Sequence, residues 1–160
     1  EKYQNSLEYL EKAESNGLIC PEIYNALGLC YSKLDNLDLA EKNYNKSLEL
    51  FPNNPETLCN LAAIKGRKFL YEEALKLYGE LIKLNRYDGT ALNNSAWCFE
   101  HLGKLDEAIG FYYRALALDT NNITFRLNLS QCLFKKGDFL NERSNDSIRN
   151  LILSILPTKN

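Results

Sequence analysis

The side chains with the greatest chemical reach are few. The chain has one histidine, His101, so Cys–His or Ser–His catalysis would depend on that residue alone. None of the strings Gly-x-Ser-x-Gly, His-Glu-x-x-His or Gly-x-x-x-x-Gly-Lys-Ser/Thr occurs. The adjacent acids Glu72-Glu73 and Asp106-Glu107 fall in the first turns of predicted helices, where they offset the positive end of the helix dipole. The five cysteines are an odd number, with no Cys-x-x-Cys pair and no histidine at ligand spacing. That pattern suits neither a disulfide framework nor a zinc site, and it implies small buried hydrophobes in a reducing, cytoplasmic setting. The chain therefore reads as non-catalytic, with no metal and no cofactor.

Amides are the more suggestive chemistry. Asn60, Asn94 and Asn128 stand 34 residues apart, and Asn25 and Asn93 lie beside the same row. A primary amide carries both donor and acceptor, so a line of them can pair with the N–H and C=O of an extended peptide whatever its side chains. A second row reads Lys33, Arg67, His101 and Lys135, and a third reads Leu29, Ala63, Trp97 and Gln131. The basic row would favour acidic peptide side chains, although it reads equally as a solvated face. Trp97 would supply an aromatic anchor.

Those rows require a scaffold that repeats. The blocks at Tyr24-Asn25-Ala26-Leu27-Gly28, Leu58-Cys59-Asn60-Leu61-Ala62, Leu92-Asn93-Asn94-Ser95-Ala96 and Arg126-Leu127-Asn128-Leu129-Ser130 follow one another at a constant 34-residue step. At the same step recur Ala40, Ala74 and Ala108, then Tyr44, Tyr78 and Tyr112. Aliphatic rows follow as Leu48, Ile82 and Leu116, and as Leu50, Leu84 and Leu118. Cys30, Ile64, Cys98 and Cys132 form another row, which reads as packing rather than thiol chemistry. Within one repeat, Tyr24, Leu27, Tyr31 and Leu34 step by three and four, as do Leu37, Ala40, Tyr44 and Leu48. The spacing predicts two amphipathic helices per repeat, separated by turns at Asp35-Asn36 and Gly103-Lys104. Small residues where antiparallel helices cross let the backbones approach, and neighbouring tyrosines fill the remaining space.

This pattern resembles the tetratricopeptide repeat family. Tyr24, Leu27-Gly28, Tyr31, Ala40, Tyr44 and Pro52 stand at that motif's spacings, and the resemblance covers most of the chain. It implies an all-α, right-handed solenoid of about four and a half repeats, a single domain over 1–160, with first helices lining a concave groove. Residues 1–20 read as the second helix of a truncated repeat, followed by repeats at 21–54, 55–88 and 89–122. Departures are Lys65 and Ser95 in apolar rows, and Arg86 and Thr120 in place of the terminal proline. Residues 123–156 read as a degenerate repeat, because Glu142, Asp146 and Arg149 fall in apolar rows. Two or three inserted residues within 141–145 would restore the phase of Ile148, Leu151, Ile152 and Ile155; alternatively, 151–156 caps the stack.

The resemblance implies recognition of a protein or peptide partner in the groove. The asparagine row is similar to the ladder in the repeat region of the glycosyltransferase that attaches N-acetylglucosamine to nuclear and cytoplasmic proteins. A two-carboxylate clamp for chaperone tails is not expected, because neither register supplies the cations: Asn25, Leu29, Asn60, Thr90 and Asn94, or Cys59, Ala63, Asn94, Thr124 and Asn128. Two alternatives stand beside the scaffold: the non-catalytic arm of a larger enzyme, and a module that self-associates through solenoid ends. With no methionine at all, the chain is read as a piece of a longer protein. Bulk composition bounds the rest. Of 160 residues 45% are hydrophobic, with a net charge of -2, enough for a sizeable core and too little positive charge to draw nucleic acid or anionic lipid. No apolar run nears the roughly 20 residues a membrane helix needs.

Overall fold

The structure, a computed structural model, describes residues 2–85 and 88–137. The loop expected within 141–145 and the closing helix or cap at 148–156 lie outside the described residues. The described residues form eight helices and no strand: α1 (Lys2–Ser15), α2 (Pro21–Lys33), α3 (Leu37–Leu50), α4 (Pro55–Arg67), α5 (Tyr71–Leu84), α6 (Gly89–His101), α7 (Leu105–Leu118) and α8 (Ile123–Lys136). From α2 onward each start recurs 34 residues later, at 21, 55, 89 and 123 for first helices and at 37, 71 and 105 for second helices. The chain is thus all-α and built of helix hairpins at the period read from the sequence.

Local chemistry fixes those boundaries. Asn54, Asp88 and Asn122, again 34 apart, cap first helices, each accepting from backbone N–H groups of the opening turn. Pro21 and Pro55 open α2 and α4, where the missing N–H has no intrahelical partner to lose. After each first helix the backbone turns left-handed, at Asp35 (φ 63), Phe69 (φ 62), Gly103 (φ 74) and Gly137 (φ 80). Glycine adopts that geometry freely, whereas a side chain there costs about 1 kcal/mol or more.

The chain divides into two compact units, Glu1–Leu84 and Asn85–Asn160. In the first, Leu7, Ile23, Tyr24, Leu27 and Cys30 form one buried cluster, and Ala40, Tyr44, Leu61 and Ile64 another. Gly28 permits the α2–α3 crossing: a Cβ there would stand 2.6 Å from Tyr44 Cε1, and Tyr44 is 1% exposed. Ser47 Oγ donates to the Pro21 carbonyl (2.9 Å) and shares a hydrogen bond with Thr57 Oγ1 (3.1 Å), tying α3 to the starts of α2 and α4. In the second unit, Ala96, Ala108, Tyr112, Leu129, Cys132 and Leu133 are the core.

Two departures from the repeat pattern resolve here. Lys65 occupies the row of Tyr31 and Phe99, yet its ammonium meets Glu41 at 2.7 Å and Glu73 at 2.6 Å, and its side chain is only 15% exposed. Lys68 completes the cluster with Glu41 and Asp38, both at 2.7 Å. Ser95 sits in the leucine row and is buried, satisfied by the Ala91 carbonyl at 2.8 Å. The aliphatic row Leu50, Leu84 and Leu118 is 48%, 49% and 41% exposed. Each of these leucines ends its helix, where the stripe has rotated out of the core.

Candidate functional site

Each unit carries the sequence candidates on its first helices, and the structure gives them partners. In the first unit Asn25 lies on α2 and Asn60 on α4. Asn60 Nδ2 donates to Asn25 Oδ1 at 3.2 Å, an amide rung joining adjacent first helices. Asn25 is buried and Asn60 half-buried. In the second unit Asn128 Nδ2, on α8, donates to Asn93 Oδ1, on α6, at 3.0 Å. Asn93 Nδ2 in turn donates to Asn94 Oδ1 at 3.3 Å. The expected ladder is therefore partly closed on itself: one amide of each pair is held by the preceding repeat.

The basic row is similarly engaged. Arg67 Nη1 donates to the carbonyl and hydroxyl of Ser32 (3.1 and 3.0 Å), and Nη2 donates to Asp35 Oδ1 at 2.6 Å. Lys135 pairs with Glu100, whose side chain is only 7% exposed and also accepts from Tyr112 Oη at 3.0 Å. Lys33 ends α2 and is exposed. His101 stacks on Trp97, with ring centroids 4.0 Å apart and planes at 41°, and its Nδ1 lies 2.9 Å from the Trp97 carbonyl. Arg67 and Lys135 thus join repeats, and their charge is already answered by acids of this chain.

Sequence reasoning missed those acids, Asp35 and Glu100, and a pair of clasps. Lys68 binds Asp38 and Lys136 binds Asp106 at 2.7 and 2.6 Å, Lys68 just past the end of α4 and Lys136 at the end of α8, each reaching the start of the preceding second helix. Their signal is a like-for-like recurrence of Lys and Asp two repeats apart.

The titratable groups favour structure over catalysis. Tyr31 is pushed up to about 12 by its 2.6 Å bond to Glu11 and by burial. Burial raises Tyr44 and Tyr112 further and lifts the Cys98 and Cys132 thiols to about 11, so these thiols stay protonated. Among the described residues no cluster of His, Cys, Asp and Glu could hold a metal, and no helix is long and apolar enough to cross a membrane.

Helix hairpins at a 34-residue period, joined through small-residue crossings and polar rungs, define a helical repeat protein. The tetratricopeptide repeat description matches residues 21–54 and residues 62–123, together more than half of the chain, and the chain belongs to that family. It is 30% identical over 116 residues to the human protein O-mannosyl-transferase TMTC1, covering 70% of this chain and 13% of that protein. Among solved structures, MamA from Desulfovibrio magneticus RS-1 superposes with a TM-score of 0.83 at 18% identity, covering 95% of this chain and 84% of that one. The first TPR of Spaghetti (RPAP3), bound to the HSP90 peptide SRMEEVD, gives a TM-score of 0.69 at 26% identity, covering 73% of this chain and 95% of that one. The chain spans less than a quarter of the length of the first curated relatives it matches.

Proposed function

We propose that the chain is a protein-interaction scaffold, not an enzyme, and that a peptide or partner segment lies along its first helices. The observation that carries this reading is the pair of half-exposed amides, Asn60 and Asn128, each oriented by a bond to the preceding first helix. An amide held in place loses little rotamer freedom when it takes a backbone partner. The likeness to a repeat domain with a bound peptide supports it. Trp97 and the exposed Leu29 supply apolar contacts beside the amides. Because Arg67 and Lys135 are already paired, the segment need not be acidic.

The test uses a linear peptide selected from a display library on the whole chain. Changing Asn60, Asn94 and Asn128 together to Ala should weaken its binding at least tenfold, about 1.4 kcal/mol. An unchanged dissociation constant moves the site off the first helices. A second reading, the non-catalytic arm of a larger enzyme, is favoured by the likeness to an O-mannosyl-transferase. Under it the bound segment belongs to that enzyme's acceptor protein, and a full-length reading frame containing a transferase domain decides the matter.

A further inference from the structure

Asn16–Gly17 is the one place in the chain where glycine follows asparagine. That pair carries its own reactants. The backbone nitrogen of Gly17 can attack Cγ of Asn16, forming a C–N bond and a five-membered succinimide. The side-chain amide departs as ammonia, taking up the proton that the nitrogen loses. Water then opens the ring at either carbonyl, giving aspartate or isoaspartate, and no other reactant is needed. Glycine favours the attack because no Cβ crowds the nitrogen.

The structure places this pair at the close of α1. Gly17 turns left-handed (φ 86), its N–H donates to the Glu14 carbonyl at 2.9 Å, and Leu18 N–H donates to the Ala13 carbonyl at 3.1 Å. These are the two bonds of a Schellman motif. The bond to Glu14 occupies the attacking nitrogen, so the reaction proceeds only while the last turn is open. Little holds that turn shut. Asn16 and Gly17 are exposed, and a Cβ at Gly17 would meet nothing within 4 Å. Leu18, which stands where such motifs bury an apolar latch, is 56% exposed. Leu7 is the buried side chain of α1, two turns away. A helix end with few buried contacts opens at small cost.

We propose that Asn16–Gly17 is a self-modification site, gated by the last turn of α1, whose conversion loosens α1 from the next hairpin. Either product adds a carboxylate at the negative end of the helix, close to Glu14. Isoaspartate also lengthens the backbone by a methylene, so the Gly17 and Leu18 bonds no longer close in register. Glu14 stands on that turn and Glu11 just before it, and they hold Lys46 at 3.0 Å and Tyr31 at 2.6 Å. Both links weaken as the turn is lost.

The experiment incubates the whole chain at pH 8 and follows its intact mass, with fragment sequencing to place any change. A gain of one mass unit at Asn16 is expected, with isoaspartate detected by enzymatic methylation. Isomerisation at Asp88–Gly89 adds no mass and is thereby told apart. Asn16→Gln should abolish the gain while keeping the fold, because its longer side chain would have to close a six-membered ring. Converted chains, separated by ion exchange, should exchange the amides of α1 about tenfold faster and those of α6 to α8 at the parent rate. No gain at Asn16, under conditions that convert a free peptide spanning Lys12 to Cys20, means the fold keeps the gate closed and overturns the site. Equal gain at Asn5 or Asn45 overturns its selectivity. Unchanged exchange in the converted chain overturns the loosening.

Discussion

The same substitution at two glycines of the first unit should have opposite signs. Gly28 lies within α2 and Gly79 within α5, so replacing either by Ala recovers about 1 kcal/mol of helix propensity. At Gly79 the new methyl meets nothing within 4 Å, and the gain stands alone. At Gly28 it would meet Tyr44 Cε1 at 2.6 Å, Cδ1 at 2.7 Å and Cγ at 3.0 Å. That ring is 1% exposed, so it cannot swing aside without disturbing Leu61 and Ile64. Overpacking of this kind costs about 1–3 kcal/mol, leaving Gly28→Ala a net loss of about 1 kcal/mol. Both residues belong to Glu1–Leu84, so urea unfolding followed by far-ultraviolet circular dichroism compares them within one compact unit. Midpoints should move about 0.5 M in opposite directions with unchanged slopes. Tyr44→Leu in the Gly28→Ala background should cost less than Tyr44→Leu alone, because the clashing edge is gone. A midpoint for Gly28→Ala raised as far as that of Gly79→Ala refutes the reasoning.

Two further outcomes follow from the titratable groups. Burial pushes the Glu41 carboxyl up, but the ion pairs with Lys65 and Lys68 win and hold it below its ordinary 4.5. Its contribution is therefore present above that value and lost as pH falls through the depressed one. Glu41→Gln should cost about 1–2 kcal/mol at neutral pH, and the gap from the parent should close toward pH 3, which urea titrations across pH would read. The second concerns thiols: of the five, Cys30, Cys98 and Cys132 are buried and only Cys20 and Cys59 partly exposed. A disulfide reagent at pH 8 should modify at most two promptly in the native chain and all five in denaturant; rapid native modification of more than two would contradict the packing.

The helical register is legible in the sequence because one step places Tyr44, Tyr78 and Tyr112 under Gly28, Ala62 and Ala96, and packing demands small against large at every crossing. The candidate rows on the first helices are legible for the same reason. What the pattern hides is the partner of each polar residue. Arg67 meets Asp35 in a turn and Lys135 meets Glu100 on a different helical row, so each pairing depends on how adjacent first helices are offset, which a one-dimensional period does not encode. Lys65 reads as an error in its aromatic row until Glu41 and Glu73 are seen to flank it. The half-closed asparagine rungs are hidden likewise, since Asn25 and Asn60 belong to neighbouring rows rather than to one.

The rungs and clasps also bear on how the chain reaches its native state. Both rungs join residues 35 positions apart and both lysine clasps residues 30 apart, so a hairpin and its neighbour suffice to form them. Contacts this local close short loops, and chains built from them fold fast and from more than one starting point. The hairpin turning at Gly103 closes without the backbone cost carried at Asp35 and Phe69, so the second unit holds the easier place to begin. Synthesis on the ribosome presents the costlier hairpins first, and both partners of the Asn25–Asn60 rung are made before Arg67.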